Sequence, residues 1–307
     1  MGGSRNSRGK ILHRGEHWRD IGFEALGLLI MLVILLVLAA LFVQLWIDGA
    51  QRLNLDFLRQ FPSRHADQAG ILAAWVGSVL VLLVTAGAAV PLGVAAGIYL
   101  EEYAARGRWS ALLEVSIGNL AGVPSIVYGL LALGLLVQGL HLGQSVLSAG
   151  LTLAMLILPM VIVSTREALR TVPQALREAS FGLGASRWQT VWHHSLPQAT
   201  PGILTGVILG LSRAIGETAP VIVIGALSFI AFLPPSPVSS SLPFLNFDWL
   251  YSPFTVLPIQ VFHWISRPNP EFHANAAAAG VILVLLNVAM NGVALWVRQR
   301  ARKRQFG

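Results

Sequence analysis

Residues 115–163 read VSIGNLAGVPSIVYGLLALGLLVQGLHLGQSVLSAGLTLAMLILPMVIV, 49 positions without a single Asp, Glu, Lys or Arg. A hydrocarbon core about 30 Å thick is crossed by roughly 20 helical residues, so this run holds two crossings. Gln138-Gly139-Leu140-His141-Leu142-Gly143-Gln144 in its middle supplies a tight turn between them. A membrane β-barrel would show strands of about ten residues with alternating polarity, and the run has none of that alternation. The fold class it predicts is all-α, a polytopic membrane bundle.

Outward from this stretch, other apolar runs complete the count. Ile71 to Leu100 is uncharged for 30 residues and contains Pro91, which predicts a tilted or kinked helix. Gly27 to Ile47 is long enough to cross and too long for the apolar core of a signal peptide. Two further spans fall at about Gly202 to Ile230 and Ala276 to Val297, giving six. With 55% hydrophobic and 11% charged residues, a soluble domain is excluded. Six crossings put both termini on one side. Lys and Arg number 16 in the stretches that share that side and 4 in those opposite, which places both termini in the cytoplasm by the positive-inside rule. The expected organisation is a basic cytoplasmic segment 1–26, a first span with its external loop 27–70, a main transmembrane domain 71–297 and a basic cytoplasmic tail 298–307.

Net charge is +7, but the basic residues are spread over ends and short loops with no aromatic-interleaved stripe, so lipid and not nucleic acid is the expected contact. There is no cysteine, which removes disulfides, thiolate metal sites and a thiol nucleophile. The only lysines are Lys10, followed by Ile11, and Lys303, followed by Arg304, so a phosphate-binding P-loop is excluded. His193-His194 lacks metal-ligand spacing. The external segment 231–275 opens with Pro234-Pro235-Ser236-Pro237 and carries Trp249, Tyr251, Phe254, Phe262 and Trp264. It reads either as an aromatic belt with an irregular turn or as a folded cap.

The polar loop 173–197 has regular punctuation. Pro173 suits a helix start, Leu176, Ala179 and Leu183 fall at helical spacing, and Gly184 provides a left-handed cap. Ser186-Arg187-Trp188-Gln189 has the form of a capping box opening a second short helix, which Pro197 is expected to stop. The product is a helical elbow fit to dock on a cytoplasmic partner. In the fifth span, Arg213 and Glu217 lie four apart and are expected buried on one helical face. Ionisable groups at membrane depth cost several kcal/mol unless paired or wet, so the pair is a candidate for the transport pathway, with an internal salt bridge as the alternative. Arg before Glu is the weaker order for helix support, and Pro220 follows closely, which argues against a purely stabilising role. In the third span Gly122, Ser125 and Gly129 share a face suited to close helix approach, and Ser125 and Tyr128 are candidates to line the pathway. Asn287 and Asn291 are expected to bond between helices.

Glu178-Ala179-Ser180, Gly184 six residues after the Glu, and Leu196-Pro197 resemble the EAA loop of ABC importer permeases, with Ser180 in place of the third small residue and His194 where an aliphatic is usual. Asn119 to Gly129, Ser212 to Pro220, and the runs Ser252-Pro253-Phe254-Thr255 and Glu271-Phe272-His273-Ala274 are similar to the PstA-type permeases of phosphate importers. The resemblance covers about residues 70–300. It implies the type I ABC importer permease fold and assigns Glu178, Ala179, Gly184, Leu196 and Pro197 to ATPase coupling, and Arg213, Glu217, Thr218, Ser125 and Tyr128 to the substrate pathway. It further implies a PstC-type permease partner, two PstB-type ATPase subunits and an external PstS-type binding protein in the inner membrane of the cell. No cofactor is expected in this chain, since ATP and Mg would be held by the ATPase, and the chain is not expected to be an enzyme. The competing readings are a permease for sulfate, molybdate or another oxyanion, an ion-gradient-driven carrier, and a membrane scaffold for a sensor kinase.

Overall fold

A computed structural model describes residues 7–105, 107–238 and 246–306, with side chains described between residues 19 and 300. The basic segment 1–26 and the tail 298–307 lie partly outside the described residues. The helices are α1 (Ser7–Gly49), α2 (Leu55–Arg59), α3 (Leu72–Ile98), α4 (Arg108–Ala121), α5 (Ser125–Ala132), α6 (Val146–Arg170), α7 (Gln174–Gly182), α8 (Arg187–Thr190), α9 (Leu196–Gly216), α10 (Ala219–Ile224), α11 (Leu257–Ile265) and α12 (Glu271–Phe306). Among the described residues, five continuous helical stretches are long and apolar enough to cross a membrane, and they become six if the bent pair of α4 and α5, with its π-helical extension to Gly139, is one span.

Burial centres on α6, which is enclosed by α3 on one side and α9 on the other. Small residues let these helices approach closely. A Cβ on Gly93 would meet Val161 at 2.7 Å, one on Gly97 would meet Thr165 at 2.6 Å, and one on Gly202 would meet Ala168 at 2.7 Å. Lipid tails are as apolar as Leu, so such close packing, not water exclusion, holds the spans together. The α1 helix stands outside this core and touches mainly α12, where Gly49 lies against the Ala278 backbone. Its exit is fastened by Arg52, whose guanidinium donates to Asn275 Oδ1 at 2.6 Å and to the carbonyls of Ala66, Asp67 and Ala69 at 2.7 to 3.0 Å.

Three expectations are corrected. The third span does not begin at Val115: it starts at Arg108, and at Gly122-Val123-Pro124 it breaks and turns by 101°. Pro124 has no N–H to continue the ladder, and the pre-proline position disfavours helix. The second elbow helix is not stopped by Pro197. A π turn over Val191–Ser195 widens the helix where the proline ring would crowd a carbonyl, and the chain stays helical from Arg187 to Gly216. The fifth span does not run unbroken to Ile230: α9 ends at Gly216, Glu217 turns extended with ψ 126°, and α10 closes at Gly225 with φ 102°.

The segment after α10 is a folded cap. Trp249, Phe254 and Trp264 are buried in it. It is tied to the bundle by Leu257 N–H donating to Ser78 Oγ at 2.8 Å, Val146 N–H to the Ser252 carbonyl at 3.2 Å, and Leu227 N–H to the Phe254 carbonyl at 3.0 Å. The Thr255 carbonyl presses against Gly77, so α3 accepts no side chain there.

Candidate functional site

Two regions gather the residues singled out in the sequence. The first is the junction of α9 and α10. Arg213 Nε donates to Glu217 Oε1 at 3.2 Å, although Glu217 has left the helix that carries Arg213. The extended turn, not a shared helical face, therefore makes the pair. Burial is uneven and corrects the expectation of two buried groups: the Arg213 side chain is 41% exposed and that of Glu217 is 18% exposed. Glu217 also borders a cavity of about 10 Å³ shared with Ser78, Leu153, Ala214 and Val256, room for about one water. Thr218 is half-buried, and its carbonyl accepts from Ile222 N–H at 3.0 Å, opening α10. Ser212, next to Arg213, donates to Asn291 Oδ1 on α12, while Asn291 donates to Asn287 at 3.2 Å. Asn291 therefore bonds between helices as expected, whereas the bond to Asn287 stays within α12.

The broken third span meets this junction directly. A Cβ on Gly129 would fall 2.8 Å from Pro220 Cα, so α5 crosses α10 at backbone distance. Tyr128 is buried, and its hydroxyl donates to the Leu120 carbonyl at 2.8 Å, bracing the bend between α4 and α5. That hydroxyl hydrogen is committed to the bend. Ser125 is half-buried in the first turn of α5. The structure thus brings Tyr128, Arg213, Glu217 and Thr218 into one neighbourhood and places Ser125 at the start of the helix that reaches it.

The second region is the elbow. Gly184 has φ 81°, a left-handed cap at which any Cβ is strained, and its N–H donates to the Phe181 carbonyl at 2.9 Å. The capping box is formed in full: Gln189 N–H donates to Ser186 Oγ at 3.3 Å, and Ser186 N–H donates to Gln189 Oε1 at 2.8 Å. Ser180 is buried with its hydroxyl 2.9 Å from that of Thr190, locking α7 to α8. This gives a positive reason for a serine at the third small position. His194 is exposed, so an aliphatic there is not required for packing. Glu178 and Ala179 are exposed, Leu196 is half-buried, and Pro197 is exposed in the first turn of α9. Leu183 does not pack along the helix with Leu176: it stands 90% exposed, and Phe181, Trp188 and Trp192 of the elbow are exposed as well. The two indoles stack at 5.5 Å. The sequence reading missed this apolar tip, although two Trp four apart on a polar loop are a legible signal.

It also missed a charged lattice at the same end of the bundle. Arg166, nearly buried, pairs with Glu114 at 3.1 Å and lies 3.6 Å from Glu101; Arg170 pairs with Glu101 at 3.0 Å; Arg177 on α7 pairs with Glu102 at 2.8 Å. Glu101-Glu102 sit on the π turn that ends α3, and their signal was the adjacent carboxylates at the end of an apolar run.

A broken-helix bundle with a charged pair at one break and a helical elbow at one end defines a polytopic helical membrane protein. The chain belongs to the family described as binding-protein-dependent transport system inner membrane component, whose family model matches residues 89–303. It is 33% identical over 236 residues to the phosphate transport system permease protein PstA 1 of Mycobacterium tuberculosis (strain CDC 1551 / Oshkosh), covering 77% of this chain and 73% of that protein. It is 35% identical over 237 residues to the phosphate transport system permease protein PstA of Yersinia pestis, covering 76% and 74%. It is 31% identical over 270 residues to the probable ABC transporter permease protein YqgI of Bacillus subtilis (strain 168), covering 86% and 90%. Among solved structures, the fold is similar to a chain of a bacterial alginate ABC transporter in complex with its alginate pentasaccharide-bound periplasmic protein, with TM-score 0.63, 13% identity, and coverage of 93% and 96%. It is also similar to a chain of the inward-facing MetNI methionine ABC transporter, with TM-score 0.58, 14% identity, and coverage of 75% and 95%. The chain is a multi-pass membrane protein and a transport permease subunit, not itself an enzyme. Membership of this family implies a second permease, an ATPase and a periplasmic binding protein as partners.

Proposed function

We propose that this chain is the permease subunit of an ATP-driven phosphate importer in the inner membrane, with both termini in the cytoplasm, forming one half of the translocation pathway. Its partners on this reading are a PstC-type permease, two PstB-type ATPase subunits that hold ATP and Mg, and an external PstS-type phosphate-binding protein. The observation that carries the reading is the Arg213–Glu217 pair at the break between α9 and α10, in a chain whose relatives are named phosphate transport permeases.

Phosphate leaving water needs positive charge and several donors, and a guanidinium offers a planar fork matched to two of its oxygens. Arg213 donates to Glu217 through its Nε, and its two terminal nitrogens can serve another acceptor. Glu217 neutralises the arginine between anions, so that no isolated charge stays in the membrane. ATP binding closes the ATPase dimer, the elbow from Glu178 to Pro197 is carried with it, and the cavity between the two permeases alternates its opening. In vesicles holding the assembled complex, Arg213→Gln removes one charged bond and is expected to lower phosphate uptake roughly ten- to a hundredfold, with ATPase assembly intact. Wild-type uptake by that variant overturns the assignment of Arg213. Import of sulfate or molybdate in preference to phosphate favours the other oxyanion reading, and uptake that survives ATP depletion but not an uncoupler favours a gradient-driven carrier.

A further inference from the structure

The elbow is joined covalently only to α6, through Thr171-Val172-Pro173, and to α9, through the π turn at Val191–Ser195. Because α8 runs through that turn into α9 as continuous helix, the weaker attachment is that of α7, whose three-residue link to α6 would let it pivot. The end of α3 changes that. Its last residues form a π turn, whose wider circumference fans successive side chains apart. Glu101 reaches Arg170 on α6 at 3.0 Å, Glu102 reaches Arg177 on α7 at 2.8 Å, and the ring of Tyr103 lies under the Arg187 guanidinium of α8 at 5.5 Å. Three consecutive residues thus contact a span and both helices of the elbow. Arg177 in turn donates to the Leu169 carbonyl at 2.9 Å, closing the loop back to α6.

We propose that Glu102 and Tyr103 are positioning residues that form a socket for the elbow and stiffen it, so that α3, α6 and the elbow move as one body during transport. The inference rests on the coupling role given to the elbow above. The strength of the socket comes from shielding. The Glu102 side chain is 10% exposed and that of Arg177 is 21% exposed, so removing one charge strands the other in a poorly solvated place. Tyr103 acts through its ring, because its buried hydroxyl makes no hydrogen bond among the described residues. The ring alone should therefore suffice.

The chain has no cysteine, so Ala175→Cys on α7 and Leu92→Cys on α3, both exposed, place two spin labels in the assembled complex. In the parent, the distance between them should stay the same with and without ATP. In Glu102→Gln/Tyr103→Leu it should broaden or shift with ATP, and stimulation of the ATPase by phosphate-loaded binding protein should fall to the basal rate. Tyr103→Phe should retain full stimulation. A parent distance that changes with ATP overturns the proposal, as does wild-type stimulation in the double variant. The parent measurement needs no socket variant, so it decides even if the double variant fails to assemble. A parent complex that keeps a constant distance and stimulated ATPase but imports no phosphate sinks the phosphate reading and leaves the socket standing.

Discussion

Gly129→Ala tests whether the broken third span and the Arg213–Glu217 junction form one unit. The added Cβ would lie 2.8 Å from Pro220 Cα, 2.9 Å from the Pro220 carbonyl oxygen and 3.0 Å from Val223 Cβ. Carbon atoms rest at about 3.5–4.0 Å, so the crossing must open by roughly 0.5–1 Å. Two of the three atoms are backbone, and no rotamer change relieves them. Overpacking of this kind costs about 1–3 kcal/mol. The strain should move α10 more readily than α5, because α10 has six residues and is bounded by the extended Glu217 and the left-handed Gly225. Pro220 would then carry Glu217 away from Arg213. The expected outcome is a complex that assembles, melts a few degrees lower and imports phosphate at a reduced maximal rate. Gly118→Ala is the control, since nothing lies within 4 Å of its Cβ, and it should match the parent in both assays. Parental import and melting by Gly129→Ala would refute the argument that the crossing sets the geometry of the charged pair.

Further outcomes follow from the elbow and the cap. Gly184→Ala forces a Cβ into a left-handed conformation at a cost of about 1–2 kcal/mol; it should reorient α8 relative to α7 and lower ATPase stimulation by the binding protein, while the basal ATPase rate stays unchanged. Burial holds the His263 imidazole below its ordinary value of 6.5, and the charge of Arg267 adds to the shift. The unfolded cap therefore binds a proton before the folded one does. Stability should be unaffected above about pH 6.5, fall as the pH drops through that value, and level off only below the lowered folded value. Melting curves of the complex between pH 5 and 8 read this directly, and His263→Gln should flatten the dependence.

The sequence exposed the parts of the fold that composition controls. Long uncharged runs are visible because each residue must tolerate hydrocarbon, so the spans within α1, α3, α6 and α12 were legible, although α1 and α6 continue as helix well past the uncharged residues. Local punctuation was equally readable: Gly184 and the Ser186–Gln189 capping box depend on one turn of chain, and both formed as expected. What escaped was set by contacts between distant segments. The bend at Gly122–Pro124 is written locally as Gly-Val-Pro, but its size depends on Tyr128 reaching the Leu120 carbonyl and on Gly129 meeting α10. The continuity of α8 into α9 turned on a π turn that absorbs Pro197, and single-residue propensities carry no signal for that register change. Nothing local to Arg52 marks it out, yet four acceptors from two distant segments make it the fastening of α1.

The exposure of Arg213 bears on how the transport site is completed. Glu217 turns inward, toward the cavity bordered by Ser78 and Leu153, while the guanidinium extends outward from the flank of α9. A cation on that flank facing hydrocarbon would cost several kcal/mol, far more than one 3.2 Å bond to Glu217 returns. The flank must therefore meet water or another polypeptide. A permease that formed its pathway alone would be expected to enclose the charge among its own helices, and the described residues do not do so. On the proposed function, half-exposure is the expected condition of a residue whose other wall is supplied by a second permease, with the anion passing between the two. On that same proposed function, the inward carboxylate serves as a counter-charge held by this chain whichever way the paired cavity opens.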